Sequence, residues 1–208
     1  MRTTIFFVLG PTNVGKSTLL EHAAKIPNVG VVEVGKMMRA KYLDPKSPHY
    51  APDHFKGQAA PTHTANEAWR MMEDGIESAM LHGSTTIFVD GQPRDIQQCD
   101  DIYTHFEALA DKFNVWYVNL FAQLETRKAR AQARDTDPAK LDLSLRRMEG
   151  DCVKLYEILA RLLARNSKII TLVTDHGSFT PSDAAKQLVS NAGRTRTAYI
   201  GNYTNQEV

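Results

Sequence analysis

The sequence predicts an α/β fold of three layers, a five-stranded parallel sheet with helices on both faces. Three observations lead there. Five runs of strand length are almost continuously apolar, the pattern of strands buried on both sides. Stretches with a 3.6-residue apolar period stand between them, so strands and helices alternate. The first run ends at a glycine, and a short loop leads from it directly into a helix. In such sheets ligands bind at the carboxyl ends of the strands. Residues 1–192 are expected to form one domain, followed by a polar tail over 193–208 that is loosely held.

Residues 4–9 form the first strand, and the helix that starts at Lys16 stops before Pro27. Residues 29–34 read as a second buried strand, which Gly35 breaks before a short helix over 36–43. Residues 44–63 are rich in Pro, His and Gly. A loop of that length in a compact domain is usually functional or moving. From Thr64 the apolar positions Ala65, Ala68, Trp69, Met72, Ile76, Ala79 and Met80 give a clear helical period, closed by Gly83. Residues 85–90 are the third strand, ending in Asp90. The next helix carries Cys99, Ile102, Tyr103, Phe106, Leu109 and Ala110 on one face. Residues 115–120 are the fourth strand, and a helix of mixed Ala and Arg runs to Arg134. Pro138 opens a long helix whose core stripe is Leu141, Leu145, Met148, Cys152, Leu155, Leu159 and Leu162. Residues 168–173 are the last strand. Thr180 and Pro181 fit the N-cap and first position of the last helix.

Of 208 residues, 42% are hydrophobic and 24% charged, enough apolar material for a full core. The net charge of +1 gives no overall attraction to nucleic acid or membrane, so local arginines must carry any anion binding. No segment approaches the roughly 18 apolar residues of a membrane span. Cys99 and Cys152 fit buried thiols of a reducing compartment, and the protein is expected to be cytoplasmic.

The loop after the first strand reads Gly10-Pro11-Thr12-Asn13-Val14-Gly15-Lys16-Ser17-Thr18. This is a P-loop in the context that gives it meaning, with a strand before and a helix after. Backbone N–H groups from Gly10 to Thr18 cradle phosphates, aided by the positive helix end. Lys16 reaches the outer phosphates, and the Ser17 hydroxyl binds Mg²⁺. Asp90, at the end of a strand expected beside the P-loop strand, can complete the Mg²⁺ shell. Arg94 follows it in Asp90-Gly91-Gln92-Pro93-Arg94, where a planar guanidinium suits a phosphate as well as solvent. Arg127, Lys128, Arg130, Arg134, Arg146 and Arg147 form an Arg-rich stretch, either a solvated face or the cations that phosphoryl transfer requires. His49, His54 and His63 lack zinc-site spacing and read as rim residues.

Pro11-Thr12-Asn13-Val14-Gly15-Lys16-Ser17-Thr18 is also similar to the loop of translation-associated GTPases. Such proteins need an Asp-x-x-Gly turn and an Asn-Lys-x-Asp guanine reader. Asp90 has no glycine three positions on, and no Asn-Lys-x-Asp occurs. The order of the remaining motifs resembles the adenylate kinase group of nucleoside monophosphate kinases over most of residues 4–180. Gly35-Lys36-Met37-Met38-Arg39 stands where that family has Gly-Asp-x-Leu-Arg. Gly57-Gln58-Ala59-Ala60-Pro61 stands at its Gly-x-Leu-Val-Pro. Asp90-Gly91-Gln92-Pro93-Arg94-Asp95-Ile96-Gln97-Gln98 is very close to its Asp-Gly-Phe-Pro-Arg-x-x-x-Gln. Arg134-Asp135-Thr136-Asp137 and Arg146-Arg147-Met148 look like its lid arginines. Val173-Thr174-Asp175-His176-Gly177 resembles its donor-adenine loop.

The resemblance implies a P-loop kinase with a short lid at about 127–140 and an acceptor-binding insertion at about 35–82. ATP with Mg²⁺ is then the donor and a nucleoside monophosphate the acceptor. Gly35, Arg39, Ala60, Gly91, Arg94 and Gln98 would line the acceptor site, with Arg39 and Arg94 on its phosphate and Gln98 on its base. Arg134, Arg147 and one of Arg127, Lys128 or Arg130 would close over the transferring group. The departures Glu33, Val34, Lys36 and Gln92 all fall on the acceptor side. Two other classes remain open. One is a P-loop kinase acting on a hydroxyl of a non-nucleotide molecule or on a nucleic-acid base, with Glu33 or Asp90 as base. The other is a GTPase or a nucleotide-binding regulator.

Overall fold

The computed structural model describes residues 2–51, 62–175, 177 and 179–192. Along the chain these form β1 (Thr3–Leu9), α1 (Lys16–Ala23), β2 (Val29–Glu33), α2 (Val34–Leu43), α3 (Thr62–Leu81), β3 (Thr86–Asp90) and α4 (Ile96–Ile102). β4 (Phe113–Phe121), α5 (Leu124–Arg134), α6 (Pro138–Ala164), β5 (Ile169–Val173) and α7 (Pro181–Asn191) follow. Ala60, Gly57, Pro61, His54, His176 and the tail from Gly193 lie outside the described residues.

The five strands form one parallel sheet in the order β2-β3-β1-β4-β5. Successive side chains of a strand point to opposite faces, so each inner strand feeds two cores. Ile5 and Phe7 of β1, Ile87 and Val89 of β3, and Val115 and Tyr117 of β4 pack with Met38, Met72, Ile76, Ile102, Ile158 and Leu162 from the helices on one face. Phe6, Val8, Phe88, Trp116 and Val118 pack with Leu19, Leu20, Ala23, Ala185 and Leu188 of α1 and α7 on the other. Double burial therefore accounts for the unbroken apolar runs. The two edge strands are the exceptions: β2 buries only Val32, and β5 buries Ile170 and Leu172 but exposes Thr171 and Val173.

Three further boundaries differ from the sequence reading. β2 ends at Glu33 and the helix begins at once, with buried Val34 in its first turn and Gly35 inside it. Gly35 therefore does not break a strand. Two guanidinium groups lie against it: a Cβ built there would stand in ordinary contact with Arg39 Nη1 (3.4 Å) and Arg94 Nη2 (3.6 Å). α3 starts at Thr62 rather than Thr64. After α4 the helix widens into a π-helical turn over Tyr103–Glu107. That turn rotates the face, so Phe106 stays buried while Tyr103 and Leu109 emerge into solvent.

The sheet order places the motifs singled out in the sequence. β1 is central, so its loop opens at the middle of the carboxyl edge. β3 runs beside it, with Val8 opposite Asp90, and β2 lies beyond, with Glu33 opposite Asp90.

Candidate functional site

The loop between β1 and α1 is held in a tight curl. Gly10 has φ 138° and Gly15 φ 109°, in the region where L side chains are strained. At Gly10 space is also lacking: a Cβ would lie 2.8 Å from the Leu120 carbonyl oxygen and 2.9 Å from Val14 Cγ1. Gly15 caps α1 without a side-chain hydrogen bond to the helix, which leaves the first-turn N–H groups for an anion. Lys16 Nζ donates to the carbonyls of Gly10 (2.7 Å) and Pro11 (3.1 Å), closing the curl. Burial pushes the Lys16 ammonium below its usual pKa, and the carboxylates of Asp90 and Asp151 act against that. Ser17 and Thr18 are exposed at the mouth of the loop.

Arg130 is the staple of this loop. Its Nη1 donates to the Val14 carbonyl (3.0 Å) and to Thr174 Oγ1 (3.0 Å), and its Nη2 donates to the Thr174 carbonyl (2.8 Å). Thr174 Oγ1 in turn donates to the Val14 carbonyl at 2.8 Å. The Arg130 guanidinium is thus committed to backbone oxygens of the β1–α1 and β5–α7 connections. Arg127, one helical turn earlier on α5, is in the opposite condition. It is only 4% exposed, Nη2 reaches Cys152 Sγ at 3.5 Å, and Nε and Nη1 have no hydrogen-bond partner among the described residues. Its charge is felt at Lys16. Buried polar groups are ordinarily hydrogen-bonded, so these N–H groups are donors that an incoming anion would meet.

On the other side of the loop, burial raises the Asp90 carboxyl above the usual carboxylate range, while Lys16 and Arg94 pull it down and Glu33 adds to the rise. Arg94 is exposed, with Nε donating to the Gly91 carbonyl at 2.9 Å. Its guanidinium and that of Arg39 converge on the bare Cα of Gly35. Gln98 is engaged within its own turn. Asp95 caps α4 by accepting from the Gln98 N–H (2.9 Å), and Gln98 Oε1 accepts from the Arg94 N–H (2.6 Å). This close relative of a capping box fixes the turn that carries Arg94. Gln92 is buried at 2% exposure, and its Oε1 has no partner among the described residues.

The structure therefore brings Lys16, Asp90, Arg94, Arg39, Arg127 and Arg130 around one stretch of the sheet edge. Arg134 stands apart from them. Its Nε and Nη2 pair with Asp135 at 2.8 and 2.6 Å, Nη2 also meets Ser144 Oγ at 3.1 Å, and 58% of its side chain is exposed. Arg147 is exposed on α6. Sequence reasoning missed Asp151, whose Oδ2 accepts from the Thr12 N–H at 3.0 Å and pairs with the Thr12 hydroxyl. The signal for it in the chain was its place one turn after Arg147, next to the apolar position Cys152.

An ATP–Mg²⁺ group suits these residues. The uncapped helix start, Lys16 and the unpaired nitrogens of Arg127 match polyphosphate oxygens. The Ser17 hydroxyl and the Asp90 carboxylate are hard oxygen donors of the kind Mg²⁺ takes. No protein-family model matches the chain, and no curated protein matches it significantly. Solved structures do match. An unliganded sugar kinase from Janibacter sp. HTCC2649 has a TM-score of 0.55 at 16% identity, over 91% of this chain and 94% of that one. The tunicamycin resistance protein of Deinococcus radiodurans has a TM-score of 0.52 at 15% identity, over 92% of this chain and 96% of that one. The fold is P-loop kinase-like. At such identities the likeness speaks for fold alone. Among the described residues no helix is long and apolar enough to cross a membrane.

Proposed function

We propose that this chain is an ATP-dependent phosphotransferase that moves the γ-phosphoryl group of ATP onto the phosphate of a nucleoside monophosphate. The observation that carries the acceptor half is the convergence of Arg39 and Arg94 on Gly35, beside the Asp90 strand end. Two planar cations on one point suit a dianionic phosphate, which each can grip with two parallel N–H bonds. The kinase-like fold and the uncapped P-loop support the donor half.

In this reading Lys16 and the loop amides hold the donor β- and γ-phosphates, and Ser17 with Asp90 holds Mg²⁺. Arg127 supplies charge to the transferring group, while Arg130 holds the loop in shape. The bond from the γ-phosphorus to the β–γ bridging oxygen breaks as an acceptor phosphate oxygen bonds to that phosphorus, and ADP leaves. The acceptor oxygen is already anionic, so the chain needs no general base. Its contribution is positioning and charge balance. Arg134 and Arg147 would join only if the segment 134–138 and the start of α6 closed over the site, which would also exclude water.

A hydroxyl acceptor is the second reading. Two observations favour it: the Janibacter neighbour is a sugar kinase, and Asp90 is a half-buried carboxyl whose pKa is raised by burial, as a general base would be. One panel separates the readings. ADP formation from ATP–Mg²⁺ is measured with ribo- and deoxynucleoside monophosphates, simple sugars and hydroxylated antibiotics. Acceleration by a monophosphate with a diphosphate product supports the first reading. Acceleration only by a hydroxyl compound replaces it with the second. Preference for GTP without any acceptor would remove both.

A further inference from the structure

Asp151 lies outside every motif of the sequence, yet it makes the longest-range side-chain contact of the P-loop on the α6 side. It stands 139 residues from Thr12, and its Oδ2 takes both the Thr12 N–H, at 3.0 Å, and the Thr12 hydroxyl. Its charge also reaches Lys16. The loop is therefore held at two points of opposite polarity. Arg130 binds the carbonyl oxygen of Val14 from α5, and Asp151 binds the N–H of Thr12 from α6. The next residue, Cys152, is the one polar contact of the buried Arg127 guanidinium among the described residues. Arg147 lies one helical turn before Asp151 on the same helix. A single rigid helix thus touches the phosphate loop, the unpaired arginine beside it and the segment that follows α5.

We propose that Asp151 is a positioning residue for donor binding: it fixes Thr12 so that the P-loop N–H groups stay aimed at the donor phosphates, and it links the state of the loop to α6. The inference rests on the reading above that this loop binds ATP. It differs from that reading in assigning an anion, not a cation, to the loop's upkeep. A carboxylate close to phosphates is electrostatically unfavourable unless its bonds to the loop outweigh the repulsion. Two hydrogen bonds to one residue, one of them to a backbone N–H, meet that condition.

The test is equilibrium binding of ATP–Mg²⁺ by calorimetry to the full chain and to Asp151→Ala, Asp151→Asn, Thr12→Val, Thr12→Ser and the double variant Thr12→Val/Asp151→Ala. Thermal melts of each check folding. Asp151→Ala is expected to weaken binding about ten- to a hundredfold, the range of a lost charge-assisted hydrogen bond. Asp151→Asn keeps an oxygen for the Thr12 N–H and should lose only about three- to tenfold, and Thr12→Ser, which keeps the hydroxyl, should bind more tightly than Thr12→Val. The double variant should fall within about twofold of Asp151→Ala, because the pair acts as a unit. Unchanged or tighter binding in Asp151→Ala or Asp151→Asn would overturn the proposal, and tighter binding would mark the carboxylate as a mere stand-in for phosphate. Strictly additive losses in the double variant would overturn it too. If Asp151→Ala does not fold, Asp151→Asn and Thr12→Val carry the decision. Wild-type chain that fails to bind ATP removes the donor assignment itself, and this inference with it.

Discussion

Replacing Arg127 by Met should stabilise the free protein and disable it in the same step. The Arg127 side chain is 4% exposed, and among the described residues two of its three nitrogens have no partner and the third meets only a thiol. Guanidinium does not lose its proton in proteins, so the charge is buried and poorly compensated by hydrogen bonds. Lys16 carries a like charge close by. Methionine has a similar length and no polar atom. Apolar replacement of poorly compensated buried charge gains about 1–4 kcal/mol, which at this chain length raises Tm by about 2–4 °C per kcal/mol. The same change removes a preorganised donor to the transferring group, worth about 10²–10³ in turnover. The assay pairs a thermal melt without nucleotide with initial rates on the acceptor found in the panel. ATP should raise the melting point of wild type more than that of the variant, since only wild type gains the bonds. A variant that melts lower and turns over normally would refute the reasoning, because the guanidinium would then be a structural group.

Arg94→Ala should lower kcat/KM for the acceptor by about 10²-fold with little change in the ATP KM, and Arg94→Lys should recover little of it, since an ammonium lacks the planar fork; normal kinetics in Arg94→Ala would remove it from the acceptor site. Gly75→Ala places a Cβ 2.7 Å from Val32 Cγ1, where α3 crosses β2, so overpacking of about 1–3 kcal/mol should exceed the helix-propensity gain of about 1 kcal/mol and lower the urea midpoint. The hydrogen bond from Arg134 holds the Asp135 carboxyl down at about 2, against 3.8 for a free aspartate. A depressed carboxyl contributes stability above the unfolded pKa and loses it as pH falls through the folded one. The urea midpoints of wild type and Asp135→Asn should therefore differ by a constant amount above about pH 5 and converge toward about pH 2. A pH-independent gap would show that the ion pair contributes nothing.

The β1–α1 connection was legible in the chain. Strand, glycine loop and helix occur consecutively in 4–20, and their chemistry is local. The same holds for the Asp90–Arg94 turn. What was not legible depended on which helices meet over the sheet edge. Spacing alone could not choose between Arg127 and Arg130, because both face the loop from α5. Gln98 matched a base-reading position, but the same spacing from Asp95 makes a helix cap, and the structure uses its oxygen there. Gly35 read as a strand breaker because a lone glycine after a β-run usually is one. In the structure it lies inside the first turn of α2, where the guanidinium groups of Arg39 and Arg94 come against it.

The sequence by itself determined the fold class and the curl of the β1–α1 loop, because period, strand length and the glycine loop are properties of neighbouring residues. Only the tertiary structure decided the division of labour among the cations: Arg130 on loop carbonyls, Arg127 buried and unpaired, Arg134 turned to Asp135. It also brought Asp151 to Thr12 across most of the chain. Partner choice for a charged side chain is fixed by which oxygens come within reach after the helices pack, and no spacing along one chain encodes that distance.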